Sequence, residues 1–355
     1  MICNFKNILT AGVLCGSFAF SQVFASYNSQ PSEDSEAPVQ KFSQITPPAG
    51  FASESGVGLS LFADFIYWEA REANLDFATS GASGTITSQG QTYYPSFGYQ
   101  PGFKVGAAVT LGHDNWDLTA DYTWLNTSGG KTSVSQDPVT STLRPTGNLP
   151  LPLASNLSLD QADGSWGFVY NLANLSLGRD YYISEYLTLR PFFGLSGAWN
   201  HQNNRNHYLS TVNPDSAFIS YLAKQSYWGV GFSSGLNTAW CFDKNWSIYG
   251  DFSVLNMWSK YTVTKSLIGY SLTGTTVDYD SGIVAFSTQG IQYGLQNVID
   301  IQMGLRWQMQ YDDNKMGFLI QAGWDQQVWI NHAQFTNQAS NLSLQGLDLK
   351  IRFDF

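Results

Sequence analysis

The sequence predicts an all-β chain that forms a transmembrane antiparallel up-and-down β-barrel. About ten strands are expected, with short periplasmic turns and long external loops. Three observations predict this. Charged residues make up only 12% of the 355 residues, about half the ~25% of ordinary soluble chains. Aromatic residues reach 15%, beside 33 glycines, a richness that disordered chains lack. The third observation is a period-two alternation of apolar and polar residues that runs through most of the chain. A soluble surface would need more Lys and Glu. A helical membrane protein is excluded too, because beyond residue 25 no run of ~18 apolar residues occurs.

Residues 1–25 read as a secretory signal peptide. Lys6 gives the positive start, Ile8 to Phe20 are mostly apolar, and Val23-Phe24-Ala25 fits a cleavage site before Ser26. Residues 26–56 carry Ser29-Gln30-Pro31-Ser32-Glu33-Asp34-Ser35-Glu36 and later Pro47-Pro48. A stretch so acidic and rich in Pro and Ser buries no core, so it is expected to be a flexible periplasmic lead-in. Residues 57–355 are the expected barrel. Cleavage would leave Cys241 as the one cysteine, which excludes a disulfide framework.

Within 57–70, Leu59, Leu61, Ala63, Phe65 and Tyr67 alternate with Ser60, Phe62, Asp64 and Trp68. Successive side chains of a strand point to opposite faces, so this segment has one apolar face. Next, Phe103, Val105, Ala107, Val109 and Leu111 alternate with Lys104, Gly106, Ala108 and Thr110. After the turn His113-Asp114-Asn115, Trp116, Leu118, Ala120, Tyr122 and Trp124 oppose Asp117, Thr119, Asp121 and Thr123. Trp116 and Trp124 near opposite ends of one apolar face suit two interfacial aromatic girdles. Residues 165–179 form a blurrier strand. Residues 186–199 set Leu187, Leu189, Phe193, Leu195 and Trp199 against Thr188, Arg190, Gly194 and Ser196. Residues 226–240 carry Trp228, Val230, Phe232, Leu236 and Trp240, and after Asp243-Lys244-Asn245 come Trp246, Ile248, Phe252 and Val254. Residues 297–309 set Ile299, Ile301, Met303, Leu305 and Trp307 against Asp300, Gln302, Gly304 and Arg306. Met316, Phe318, Ile320, Ala322 and Trp324 then oppose Gly317, Gln321 and Asp325. The last strand places Leu347, Leu349, Ile351, Phe353 and Phe355 against Asp348, Lys350, Arg352 and Asp354.

Connections alternate in length. Short turns are expected at 112–115, 180–185, 241–245 and 311–314. Long loops are expected near 71–98, 128–164, 200–225, 262–296 and 331–341. Outer-membrane barrels have short periplasmic turns and longer external loops, and ten strands with both ends periplasmic satisfy this order. The connection 262–296 has room for one more hairpin around Asp280-Ser281-Gly282, which would bring the count to twelve. A closed sheet leaves no unpaired edge in lipid.

These segments also carry a family resemblance. Phe62-Ala63-Asp64-Phe65-Ile66-Tyr67-Trp68-Glu69-Ala70-Arg71-Glu72 resembles the first strand of the Legionella-type major outer membrane protein family, which has chlamydia-related members. Pro101-Gly102-Phe103-Lys104-Val105-Gly106, His113-Asp114-Asn115-Trp116-Asp117, Tyr122-Thr123-Trp124, Leu177-Gly178-Arg179-Asp180 and Leu187-Thr188-Leu189-Arg190-Pro191 are similar to it in order and spacing. The likeness covers roughly residues 57 to 355. It implies a pore-forming barrel of a Gram-negative-type outer membrane. The chain departs from the chlamydial members in its cysteines, so a disulfide-linked envelope role does not carry over.

If the apolar faces meet lipid, the polar faces line a wet lumen. The pore-lining candidates are then Asp64, Lys104, Asp117, Asp121, Arg190, Asp251, Asp300, Arg306, Asp325, Asp348, Lys350 and Arg352. Seven acids against five bases imply a mild cation preference; the same charges could instead pair across the lumen and brace it. Gly106, Ala108, Gly194, Ser196, Gly304 and Gly317 would widen the lumen, while Phe62, Trp68 and Tyr249 would narrow it. Eight strands leave an interior just filled by side chains, so a ten-stranded lumen should pass only ions and small solutes.

A porin-like pore is the first expectation. The alternative is a non-conducting barrel acting as adhesin or envelope structural protein. No enzyme, cofactor or metal site is expected. His201 and His207 sit in an expected polar loop, and His332 near Asp325 is the nearest approach to a catalytic pair at an external rim. The expected partners are outer-membrane lipid, small ions and solutes, and the barrel-assembly machinery through the C-terminal strand ending in Phe355. A homo-oligomer is left open. A net charge of −10 excludes nucleic acid as a partner.

Overall fold

The computed structural model describes residues 58–81, 90–111, 116–128, 130–136, 143–146, 159–210, 215–273, 284–311, 316–336 and 339–355. The signal peptide and the acidic lead-in expected at 1–25 and 26–56 lie outside them, as do the turns at His113 and Asp313.

Ten strands form the barrel. They are β1 (Gly58–Glu72), β2 (Tyr99–Thr110), β3 (Trp116–Ser128), β4 (Gln161–Arg179) and β5 (Leu187–Ser210). The second half holds β6 (Asp215–Cys241), β7 (Trp246–Thr273), β8 (Val284–Tyr311), β9 (Met316–Ala333) and β10 (Ser340–Asp354). Each pairs antiparallel with its neighbours in sequence, and β1 pairs with β10, so the sheet closes. The seam is fixed by a reciprocal pair: the Leu59 amide donates to the Phe355 carbonyl at 3.1 Å, and the Phe355 amide to the Leu59 carbonyl at 2.8 Å.

The period-two reading holds along this sheet. Leu61, Phe65, Ile301 and Ile351 lie exposed on the outer face, and their neighbours Asp64, Gln302 and Lys350 face in. Two aromatic girdles bound the exposed apolar band. The outer one holds Tyr67, Tyr99, Trp124, Trp199, Trp228, Trp258 and Trp324; Tyr67 stacks on Tyr99 at 5.5 Å and Tyr99 meets Trp324 at 6.3 Å. The periplasmic one holds Trp116, Trp240, Trp246, Trp307 and Phe353. Rings that are apolar in body and polar at the rim settle at such interfaces.

Strand lengths correct part of the sequence reading. β1 and β10 have 15 residues each, whereas β7 and β8 have 28. A tilted strand crosses the hydrocarbon in ~9–11 residues, and the periplasmic turns are short. The surplus therefore stands on the external side. The expected loop 200–225 is strand for most of its length, with Ser210 opposite Ala217. The expected loop 262–296 is likewise the continuation of β7 and β8, paired as far as Gly269 and Val284. Asp280-Ser281-Gly282 lies outside the described residues, but β7 and β8 pair directly with each other, so no further pair of strands enters the sheet between them. The barrel has ten strands rather than twelve. The other long connections hold short pieces: Thr132–Ser135 pairs with β4, and Ala78–Thr79 pairs with both Thr92–Tyr93 and Arg144–Pro145.

The interior is not uniformly wet. At and above the outer girdle the inward side chains form a dry core of Trp68, Leu125, Phe168, Tyr170, Leu172, Tyr227, Met257, Tyr261, Val298, Trp329 and Leu344, none more than 4% exposed. This explains the blurred alternation of β4. Trp166, Phe168, Tyr170 and Leu172 face inward, yet they are as apolar as an outer face.

Candidate functional site: a charged vestibule beneath an aromatic septum

The register carries all twelve sequence-predicted lining residues inward. Arg306, Gln321, Lys350, Asp64 and Lys104 are successive cross-strand partners from β8 through β9, β10 and β1 to β2. One row of side chains thus runs halfway around the wall. Cross-strand partners on one face sit about 5 Å apart, so charges in such a row must interact.

They pair at mid-height. The Lys104 ammonium lies 3.7 Å from Asp325 and 3.6 Å from Asp348. Lys350 lies 3.2 Å from Asp64 and 4.8 Å from the Phe62 ring. Asp300 accepts a hydrogen bond from Gln327 Nε2 at 3.2 Å, and Gln327 Oε1 accepts one from the Tyr170 hydroxyl at 2.8 Å. Asp121 accepts from Asn174 Nδ2 at 2.9 Å. Nearer the periplasm, Arg190 grips Asp117 with Nε at 2.7 Å and with a second guanidinium nitrogen, and donates to Asn237 Oδ1 at 2.7 Å. Arg306 donates to Gln321 at 3.2 Å and stacks over Tyr249 at 5.3 Å. Arg352 pairs with Asp354 at 2.8 Å.

Below the mid-height belt lies a cavity of about 1120 Å³. Lys104, Asp117, Asp121, Arg190, Asp251, Asp300, Arg306, Lys350 and Arg352 line it, and it reaches the periplasmic turns at Tyr182, Glu185, Asp243 and Lys244. Asp64, Asp325 and Asp348 stand behind this surface, buried against Lys350 and Lys104. The sequence reading missed Asp354 and Asp180 as lining acids. Asp354 shares the parity of Asp348 and Lys350, so the alternation could have supplied it; Asp180 lies beyond the end of β4, where parity gives no guide. Gly106 does not widen the lumen as expected, because the Phe62 ring occupies the space a side chain there would take.

The septum above was not anticipated as a unit. Trp68 of β1 meets Tyr170 of β4 at 6.4 Å, and Tyr170 meets Trp329 of β9 at 5.7 Å. Tyr227 of β6 meets Trp329 at 5.8 Å and Tyr261 of β7 at 5.1 Å. His332, expected as a rim residue beside Asp325, is instead fully buried among these rings, with Nδ1 3.1 Å from Gln296 Oε1. Asn331, at φ 56°, makes this possible: a left-handed residue interrupts the β9 ladder and turns the next side chain inward. His201 and His207 lie on the outward face of β5 rather than in a loop; His201 contacts Ser226 and His207 stacks on Phe218.

The family model described as Legionella pneumophila major outer membrane protein precursor matches residues 55–355. The chain belongs to this major outer membrane protein family. Family and closed barrel together make it an outer-membrane protein, with lipid against its apolar face. No curated protein matches the sequence. Among solved structures, the monoaromatic hydrocarbon channel CymD is similar at 10% identity over 84% of this chain and 88% of that one, with a TM-score of 0.30. A Pseudomonas aeruginosa FadL homologue is similar at 7% identity over 84% and 90%, with a TM-score of 0.26. The P. putida toluene transporter TodX is similar at 9% over 85% and 90%, also with a TM-score of 0.26. Superpositions this loose carry no argument about cargo for this major outer membrane protein.

Proposed function

We propose that the protein is a porin-like pore that passes ions and small solutes across the outer membrane, with a mild preference for cations. One observation carries the reading: the interior leaves about 1120 Å³ open beneath the septum and lines it with charge. A barrel needed only as an anchor has no use for this. In the outer half the same sheet is packed solid, and buried charges cost more than apolar filling unless water reaches them. Eight acids, Asp180 and Asp354 among them, outnumber six bases, Lys104 and Lys244 among them, on the cavity wall, and carboxylate rings attract cations.

The septum favours a second reading, a non-conducting barrel that serves as adhesin or envelope scaffold through its raised external strands. Single-channel recording of the refolded protein separates the two. Cation-preferring current steps support the pore, and Asp300→Lys is expected to move the reversal potential toward anions. A barrel with no steps in any variant is the scaffold. In the same reading, residues 1–25 act as a cleaved signal peptide, residues 26–56 form a periplasmic lead-in, and the strand ending in Phe355 engages the barrel-assembly machinery.

A further inference from the structure

The septum has two kinds of member. Trp68, Tyr170, Tyr227, Tyr261 and Trp329 stand within paired ladders, and none can leave the lumen without unzipping one. His332, Ala333 and Phe335 stand at the outer end of β9 and in its connection to β10, and they are buried just as deeply, at 1% exposure or less. His332 occupies the centre. Its ring lies 4.7 Å from Tyr227, 5.1 Å from Trp329, 6.1 Å from Tyr261 and 6.5 Å from Phe168, rings that come from four different strands.

Side chains supply the hydrogen bonds that hold this segment in the lumen. Gln225 of β6 closes on it twice: Nε2 donates to the His332 carbonyl at 2.8 Å, and Oε1 accepts from the Gln334 amide at 2.7 Å. Gln296 of β8 donates to the Ile330 carbonyl at 2.9 Å and meets His332 Nδ1. Both glutamines are buried. Among the described residues, no charge pair and no ladder bond crosses between the segment and β6 or β8. One ladder pairing, Ala333 with Ser340, ties it to β10 after a break in register, and at its root the amide of the left-handed Asn331 donates to Asn341 Oδ1 of β10 at 2.8 Å. A piece held by one such pairing and a few side-chain bonds detaches at a small fraction of the cost of opening a strand. Trp329 touches both His332 and Tyr170, so withdrawal would also free the ring that links the upper and lower tiers.

We infer that residues 331–335 are a removable stopper in the outer end of the lumen, latched by Gln225 and Gln296. This rests on the pore reading and names its regulation. With the stopper seated the septum is closed; with it withdrawn the charged vestibule communicates with the external side.

The test records single channels from the refolded full chain in planar bilayers for wild type, Gln225→Ala, His332→Ala and the outward-facing control Gln326→Ala. Folding of each is checked by resistance of the barrel to SDS, and hydrogen exchange at the Gln334 amide is measured in parallel. Wild type should open rarely. Loss of the two Gln225 bonds should raise open probability roughly tenfold, His332→Ala should raise it further, and Gln326→Ala should leave it unchanged. The Gln334 amide should be protected in wild type and exposed in Gln225→Ala. Equal open probability in all four proteins overturns the stopper and leaves the pore standing. No current in any of them, with Gln334 protection still lost in Gln225→Ala, overturns the pore while the latch survives. An unprotected Gln334 amide in wild type overturns the latch by itself.

Discussion

Lys104 and Asp348 meet 3.6 Å apart inside the barrel although their strands, β2 and β10, are separated by β1. The ammonium reaches over Asp64 to a carboxylate that is fully buried. The same nitrogen lies 3.7 Å from Asp325 of β9, so one cation ties three strands at the boundary between vestibule and septum. Removing one partner of a buried ion pair leaves an uncompensated charge and costs about 3–5 kcal/mol.

Lys104→Met is therefore expected to destabilise the barrel by an amount of that order, read as a lowered midpoint of urea unfolding in vesicles. Adding Asp348→Asn should recover part of the loss, because the double variant removes one of the stranded charges. Additive losses in the double variant would show that the two residues do not form a unit.

Arg190 offers a contrasting case. It holds Asp117 through two nitrogens and Asn237 through a third, close to the periplasmic mouth where water reaches it. Arg190→Gln should cost less stability than Lys104→Met, since the Asp117 side chain keeps 14% of its surface open to water whereas that of Asp348 keeps none. It should instead raise cation selectivity by freeing Asp117, and a shift of the reversal potential toward the cation limit is the measurement. An unchanged potential would mean that Asp117 does not face the permeation path.

The parts of this architecture that were legible in sequence are those where one face meets lipid and the other meets water. Phe103 to Leu111 and Leu347 to Phe355 alternate cleanly, and every charged candidate drawn from such segments does face inward. Legibility failed where both faces are apolar. Phe168, Tyr170 and Trp329 have the parity of lumen residues but the chemistry of a lipid face, so the septum left only a blurred strand as its trace. His332 was misplaced for a different reason: a single left-handed residue, Asn331, reverses the parity of the residues beyond it, and no alternation announces it. The raised strands were misread as loops because above the membrane the outward face turns polar, as in Asn203 and Arg205, and the contrast between faces vanishes.

Ile301 and Gln302 test the orientation itself. Ile301 lies exposed in the apolar band and Gln302 beside it faces the cavity. An Arg on the lipid face at the bilayer midplane costs about 2–4 kcal/mol. Ile301→Arg should lower the folding free energy in bilayers by that much, while Gln302→Arg should cost less and alter selectivity. Equal costs at the two positions would contradict a lipid-facing Ile301.

Acid should loosen the stopper, and the sign comes from the burial of His332. The residue lies eight positions beyond Trp324 on β9, outside the band between the girdles. Burial holds its imidazole down at about 3, whereas a solvated imidazole sits near ~6.5. Between these values the withdrawn state binds a proton that the seated state refuses, so falling pH favours withdrawal, roughly tenfold per unit. Above the ordinary value neither state is protonated and the effect vanishes. The groups that face the ring are Phe168, Tyr227, Tyr261, Gln296 and Trp329, and none changes charge in this window. Exchange at the Gln334 amide should therefore accelerate as pH falls from about 6.5 toward 3, after correction for intrinsic exchange, and His332→Gln should abolish the dependence. A pH profile identical in wild type and His332→Gln would remove the imidazole from the mechanism.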